Sequence, residues 1–417
     1  MDKFVIEGGR PLRGTLRVNG SKNAALPILI ATLLTDEACV IENVPDLRDI
    51  RTTIRLLESL GKRVAVEGKV VRVEFGRRLR TRAPYELVKQ MRASVLVAGP
   101  LLARFGRARV PLPGGCAIGL RPVDIHLKAF QALGAKADNA GGDVVFSARR
   151  LRPARVKFRF ASVGATENIL MAAAATPGRT IIENAAREPE IDDLARFLGA
   201  MGAKISGAGK SRIVIEGVSA PAGVRHRVIS DRIETGTLLI AGAAARGPLT
   251  LVGAEPGHLG CLLRALAKSG ARVRQTADGL CVTGPARPRP VSITTGIYPG
   301  FPTDLQAQWM AYMCRARGKS SIREAIFERR FMHAAELARL GARIAFRGNC
   351  IIVTGVPRLQ GASIMASDIR AGAALVTAGL AAEGVTEIHR VYHIDRGYER
   401  IERLLRRAGA RMRRVRA

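Results

Sequence analysis

The chain has 417 residues, 47% of them hydrophobic and 24% charged, which suits two domains of about 200 residues and excludes disordered and fibrous classes. Its 67 Lys+Arg against 35 Asp+Glu leave a net charge of +32, mostly arginine and scattered along the sequence, densest at 77–82, 149–157 and Arg406–Arg416. A scattered excess attracts polyanions without defining a groove, and aromatic residues are only 4%, so no specific nucleic-acid site is expected.

In chain order, six segments share one grammar, a short polar start followed by a helix-length run of Ala, Leu, Ile and Gly. They are SKNAALPILIATLL from Ser21, MRASVLVAGPLLARFG from Met91, ASVGATENILMAAAA from Ala161, SDRIETGTLLIAGAAARG from Ser230, FPTDLQAQWMAYMCRARG from Phe301 and ASDIRAGAALVTAGLAAEG from Ala366. Being apolar nearly all round, these helices are predicted to be buried. Between them run amphipathic segments such as RDIRTTIRLLESLG, with apolar residues at steps of three and four. Each closes on a glycine suited to the left-handed end of a helix. Gly61, Gly134, Gly202, Gly270, Gly341 and Gly409 step by 73, 68, 68, 71 and 68 residues. Pieces such as KVVRVEFG, TIIENA, RIVIEG and CIIVTG supply strands. Six α/β repeats of about seventy residues fill the chain, and three copies enclose enough apolar helix to make one domain.

The chemistry is expected where the buried helices begin. Lys22, Arg92, Ser162, Asp231, Asp304 and Asp368 occupy matching places, with steps of 70, 70, 69, 73 and 64. A helix N-terminus exposes unpaired N–H groups and a partial positive charge, which suits phosphate or carboxylate. Ser and Asp there commonly act as N-caps, whereas Lys22 and Arg92 are poor caps and point to an anionic ligand.

Cysteines 39, 116, 261, 281, 314 and 350 form no C-x-x-C pair, which argues against zinc and a disulfide framework and for free thiols in a reducing compartment. Acidic residues and histidines do not cluster at ligand spacing, so neither metal nor cofactor is expected. MDKFVIEGGRPL has no apolar signal core, and no apolar run reaches the roughly eighteen residues of a membrane span, so the expected location is cytoplasmic. One segment breaks the helical grammar: VPLPGGCAIGLRPVDIH, from Val110 to His126, whose prolines and glycines make a loop with Cys116 at its tip and Arg121 nearby.

Together with SKNAALPIL, MRAS, SVGAT, ENAAREPEI, SDRIETGT, FPTD, FERRFMH, ASDIRA and YHIDRGYERI, this loop makes the whole chain resemble the UDP-N-acetylglucosamine 1-carboxyvinyltransferase family of enolpyruvyl transferases. The resemblance implies two inside-out α/β barrel domains, each of three pseudo-repeats, with the active site in the interdomain cleft. It divides the chain into residues 1–20 with 230–417, on the side of phosphoenolpyruvate and the catalytic base, and 21–229, carrying the 110–121 cysteine loop. The implied reaction is transfer of the enolpyruvyl group of phosphoenolpyruvate to the 3′-hydroxyl of UDP-N-acetylglucosamine, releasing phosphate through a tetrahedral ketal, the first committed step of peptidoglycan precursor synthesis.

Residue by residue, the resemblance puts Lys22, Asn23, Arg121, Arg370 and Arg396 on phosphoenolpyruvate. Arginine forks suit its carboxylate and lysine its phosphate. Cys116 is the implied acid toward the methylene carbon and the thiol that fosfomycin alkylates; nearby arginines lower a thiol's pKa. Asp304 matches the base for the sugar hydroxyl, and Lys22 and Arg396 complete the implied catalytic set. The nucleotide sugar falls to Arg92, Arg121, Pro122, Val123, Asp124, Ile125, Ser162, Val163, Gly164, Asp304 and Ile326. Asp231, Arg232, Glu234 and Glu190 belong to recurring motifs in which an ion-paired hinge and a substrate contact are equally open, and His393 reads as a structural histidine. Phe160 departs from the family pattern, which has a basic residue there. With the arginine excess, it keeps two other readings open: a specialised paralogue acting on another acceptor such as a uridine nucleotide, and a noncatalytic polyanion-binding protein.

Overall fold

A computed structural model describes residues 2–111, 124–328 and 330–416, with the backbone alone at Arg92. Cys116, Arg121, Pro122 and Val123 lie outside the described residues, as does nearly all of the 110–121 loop. Contacts divide the chain into two units, residues 2–19 with 230–416 and residues 20–111 with 124–229. Each unit has its own hydrophobic core.

The repeat is easiest to follow in residues 155–217. An edge strand, Arg155–Lys157, leads through the buried helix Val163–Ala174 into the parallel strand Gly178–Glu183. The amphipathic helix Pro189–Ala200 follows, and the hairpin Lys204–Ser206 and Arg212–Gly217 completes the sheet. Among the described residues there are six sheets. Five have four strands in this order, and in the sixth the edge strand shrinks to a single bridge between Arg82 and Arg109. Parallel pairing forces a crossover, and the apolar helix is that crossover.

Two edge strands stay behind when the chain passes from one unit to the other. Gly14–Arg17 pairs with Leu249–Val252 but leads into the helix Lys22–Ala31 of the other unit. Conversely, Arg225–Arg227 pairs with Cys39–Glu42 and leads into the helix Arg232–Ala244. The first strand, Asp2–Glu7, lies between Val385–His389 and Arg411–Arg416, antiparallel to both. It is the second hairpin strand of the sixth repeat, so that repeat is closed by the N-terminus.

The apolar helices are buried as their composition requires. Lys22–Ala31 is buried at every residue but Asn23, and Arg232–Ala244 at every residue from Ile233 on. Removing such surface from water contributes roughly 25 cal/mol per Å². Two of the six are interrupted, contrary to the uniform pattern in the sequence. MRASV opens as a 3-10 turn, Arg92–Val97, before the helix Ala98–Phe105, and FPTD as Thr303–Leu305 before Gln306–Met313. Pro100 lies in the first turn of its helix, where a missing N–H leaves no hydrogen bond unmade. The six closing glycines all have positive φ, between 88° and 117°.

Candidate functional site

The predicted equivalence of the six helix starts does not hold. Ser162, Asp231 and Asp368 are N-caps whose side chains accept from N–H groups of the first turn. Lys22 and Arg92 are instead the first helical residues, and the cap before Lys22 is Ser21, which accepts from the Ala24 N–H at 3.3 Å. Asp304 sits within a 3-10 turn and caps nothing. A cation directly after a cap needs a counter-charge in so buried a place. Lys22, 7% exposed, has the Asp49 carboxylate 3.5 Å from its Nζ. Asn23 beside it is half-buried.

In the unit of residues 2–19 and 230–416, Asp304 is the centre of a polar cluster. Its Oδ1 accepts from Arg330 Nη2 at 2.6 Å and its Oδ2 from Arg370 Nη2 at 2.8 Å. Burial works against the charge, but the two guanidiniums, Arg370 first, outweigh it and hold the carboxyl well below the usual aspartate range. The cost of burying Arg370 is likewise offset by Asp304, and its acidity is weaker still than an ordinary arginine's. Arg370 and Arg330 are 6% and 7% exposed, whereas the Asp304 side chain is 28% exposed, so the carboxylate is open to solvent where its partners are not.

Further side chains hold the arrangement in place. Arg370 Nη1 donates to the Tyr398 hydroxyl at 3.1 Å, and that oxygen lies 2.9 Å from Thr237 Oγ1. Gln308 Nε2 reaches Thr237, Tyr398 and the Asp304 main-chain carbonyl at 2.9, 3.2 and 3.1 Å. On the other side Arg330 Nη1 donates to Thr303, whose hydroxyl donates to Glu324 at 2.9 Å. Glu324 also accepts from the Ile326 N–H at 2.8 Å, which ties that predicted residue to the Asp304 turn. Ile326 itself is exposed. Arg396 ends the 3-10 turn Val391–Arg396, half-buried, and His393 in the same turn stacks on Tyr392 with ring centroids 4.3 Å apart.

Glu234 lies at the start of the helix that follows the crossing at 229–230. Its carboxylate accepts from Asn19 N and Nδ2 at 2.7 and 2.9 Å, and the Asp231 N–H donates to the Asn19 carbonyl at 2.9 Å. Burial, with neighbouring Asp231, pushes the Glu234 carboxyl up to about 7, although the bonds from Asn19 pull the other way.

The unit of residues 20–111 and 124–229 brings together two helix starts. Gly164 lies close enough to the helix Asp124–Ala132 that a Cβ there would be 3.4 Å from His126 Cε1. Ser162 caps its helix through the Ala165 N–H at 3.4 Å, with Val163 and Gly164 half-buried behind it and Ile125 buried. Asn168 bridges the two helices, 3.0 Å from His126 Nδ1, and accepts from the Gly99 N–H at 2.9 Å. Asp124 pairs with Arg159 at 3.3 Å, and the Arg159 guanidinium lies over the Phe160 ring, 5.2 Å from its centroid. The basic group missing at position 160 is therefore present one residue earlier, beside the predicted nucleotide residues. Farther into the same helix, Glu167 is buried near Glu190 and Glu188; burial first, and then these acids, push its carboxyl up to about 8.

Sequence reasoning missed Arg330, Tyr398, Thr237 and Gln308. Thr237 and Gln308 had a signal, each being a polar residue in a largely apolar buried helix, and a buried polar group needs a partner. Of the thiols, Cys39, Cys281 and Cys314 are buried and Cys261 and Cys350 half-buried. Burial pushes Cys314 up to about 12. Among the described residues, no group of His, Cys, Asp and Glu could hold a metal, and no helix is long and apolar enough to cross a membrane.

Comparison with known proteins gives a consistent set of relatives. The profile of the family EPSP synthase (3-phosphoshikimate 1-carboxyvinyltransferase) matches residues 6–405. UDP-N-acetylglucosamine 1-carboxyvinyltransferase of Elusimicrobium minutum is 52% identical over 99% of this chain and 98% of the relative. The protein of the same name from Anaeromyxobacter sp. is 54% identical over the full length of both. Among solved structures, the enolpyruvyl transferase NikO from Streptomyces tendae superposes with a TM-score of 0.89 at 28% identity, covering 100% of this chain and 99% of that one. EPSP synthase from Acinetobacter baumannii does so at 0.78 and 18% identity over 100% of both, a likeness of fold alone.

Proposed function

Because this chain belongs to the EPSP synthase family of enolpyruvyl transferases, among the UDP-N-acetylglucosamine 1-carboxyvinyltransferases, we propose that it transfers the enolpyruvyl group of phosphoenolpyruvate to the 3′-hydroxyl of UDP-N-acetylglucosamine. The observation that carries this is identity of 52–54% along the whole chain to proteins of that name, against 28% to a differently named enolpyruvyl transferase of the same fold. The same contrast disfavours a specialised paralogue. Peptidoglycan precursor synthesis in the cytoplasm is the corresponding role.

In this reading the sugar oxygen bonds to the central carbon of phosphoenolpyruvate while a proton is added to the methylene carbon. The resulting ketal then loses that proton and expels phosphate, restoring the double bond. Cys116 delivers the proton to carbon. Asp304, ionised and partly exposed, accepts the hydrogen bond of the attacking hydroxyl and takes its proton as the oxygen bonds to carbon. Lys22, Asn23, Arg121 and Arg396 hold the phosphate and carboxylate. Arg370 acts through Asp304, to which it is bonded, as well as on the anion. The diphosphate and uracil lie along Arg92, Arg121, Pro122, Val123, Asp124, Ile125 and Ser162–Gly164, with Arg159 supplying the charge that position 160 lacks. Ile326 borders the sugar.

Phosphate release from phosphoenolpyruvate is the test, with UDP-N-acetylglucosamine and UMP as alternative acceptors. Turnover with the nucleotide sugar is expected. Turnover with UMP alone supports the paralogue, and no turnover with either, alongside salt-sensitive RNA binding indifferent to the nucleotide sugar, supports the polyanion binder.

A further inference from the structure

Each of the three buried helices of one unit contributes a polar side chain to a single point: Thr237 from Arg232–Ala244, Gln308 from Gln306–Met313 and Arg370 from Ile369–Ala381. The point is the hydroxyl of Tyr398, a residue 1% exposed. A phenylalanine would fill the same core volume without burying a hydroxyl, and a hydroxyl buried without a partner is destabilising. The hydroxyl is instead fully engaged, by Arg370 at 3.1 Å, Thr237 at 2.9 Å and Gln308 at 3.2 Å. Two of those partners lead to Asp304. Arg370 holds its carboxylate at 2.8 Å, and Gln308 reaches its main-chain carbonyl at 3.1 Å.

We propose that Tyr398 is a positioning residue for Asp304: its hydroxyl fixes the Arg370 fork, and through it the placement and charge of the carboxylate that receives the acceptor hydroxyl. The proposal rests on the enolpyruvyl-transfer reading only for the identity of that hydroxyl. A guanidinium bonded at one nitrogen alone swings about its stem, whereas one held at two nitrogens presents a fixed edge. The groups that face this cluster are Arg370 and Arg330 on the carboxylate, Asp231 near both Arg370 and Tyr398, and His333 near Arg330. Burial pushes His333 down to about 4, so it brings no titration of its own near neutrality.

The test uses the full-length protein with aspartate carboxyl carbons labelled with carbon-13, the Asp304 signal being assigned by its loss in Asp304→Asn. In Tyr398→Phe the loosened Arg370 holds the charge less well. The Asp304 titration is expected to move up by about one unit, the acidic limb of the pH–kcat profile to move with it, and kcat to fall about tenfold while KM for UDP-N-acetylglucosamine stays within about twofold. Thr237→Val, which removes one of the hydroxyl's two other neighbours with little change of volume, is expected to move both in the same direction by less. An unmoved Asp304 titration in folded Tyr398→Phe overturns the proposal, as does an unmoved titration in Thr237→Val should Tyr398→Phe not fold. Because that readout needs no turnover, an enzyme inactive on the nucleotide sugar overturns the functional reading and leaves this one decided separately.

Discussion

Asp304 and Glu167 are both carboxyls at buried helices, in different units, and their environments drive them to opposite charge states. Asp304 is met by two guanidiniums at 2.6 and 2.8 Å and stays ionised far into acid. Glu167 is buried near Glu188 and Glu190, and its carboxyl, pushed up to about 8, carries its proton at neutral pH. Burial penalises both charges; the sign of the neighbours decides which carboxyl keeps its own. The composition of the chain, with its large arginine excess, predicts neither outcome.

The largest expected effect comes from removing the ionised member. Asp304→Asn keeps the shape but leaves Arg330 and Arg370 without their counter-charge, and a lost hydroxyl acceptor lowers kcat by about 10²–10⁴-fold. Phosphate release at saturating substrate measures it, and a kcat within twofold of the parent removes Asp304 from the chemistry. Glu167→Gln tests the other side. A carboxyl whose pKa is raised on folding contributes stability that is full below its unfolded value, about 4.5, and is lost as pH rises toward and past 8. The amide does not titrate, so the variant should gain on the parent from pH 5 to pH 9, by an amount on the order of a few kcal/mol. Urea unfolding at the two pH values reads this, and a gap that stays flat or narrows means Glu167 is not held protonated.

Glu234 sits between the two extremes, pushed up only to about 7 because Asn19 donates to it twice. Glu234→Gln should therefore show the same sign of pH dependence, complete about a pH unit earlier and smaller because its carboxyl is raised less, on top of a pH-independent cost from the acceptor that Asn19 loses. A pH dependence larger than that of Glu167→Gln would reverse the ranking. The smallest effect compares two closing glycines. Gly61 and Gly134 both have positive φ, but a Cβ at Gly61 would lie 3.1 Å from the carbonyl oxygens of Arg77 and Arg78, whereas at Gly134 nothing is within 4 Å. Replacing either by alanine costs about 1 kcal/mol for the left-handed backbone, with Gly61→Ala the worse of the two. Equal melting temperatures would show that the crowding at Gly61 relaxes at no cost.

The repeat was legible because it is written in spacing. Six glycines at near-constant steps and six runs of apolar residues leave few ways to form helices, and the structure uses those positions. What spacing does not carry is register within a turn. Lys22 follows its cap by one residue, and Asp304 lies in a 3-10 turn, although both align with true caps in the sequence. Contacts between distant segments were also hidden. The pairing of Asp304 with Arg330 and Arg370 joins residues 26 and 66 positions apart, and no local pattern announces it. The strand Asp2–Glu7 closes the sixth repeat through partners near the opposite end of the chain, which periodicity alone places nowhere. Asp124, Ile125 and Ser162–Gly164 were assigned to the nucleotide through resemblance alone, and the pairing of Arg159 with Asp124 was not foreseen because the pattern asks for a charge one residue later.

A single carbon-13 titration, with aspartate and glutamate carboxyls labelled and Asp304→Asn and Glu167→Gln used for assignment, tests most directly whether the two units hold their carboxyls in opposite states. The account predicts that at pH 7 Asp304 is fully charged and Glu167 mostly protonated. Finding both carboxyls charged, or both protonated, at that pH would contradict it.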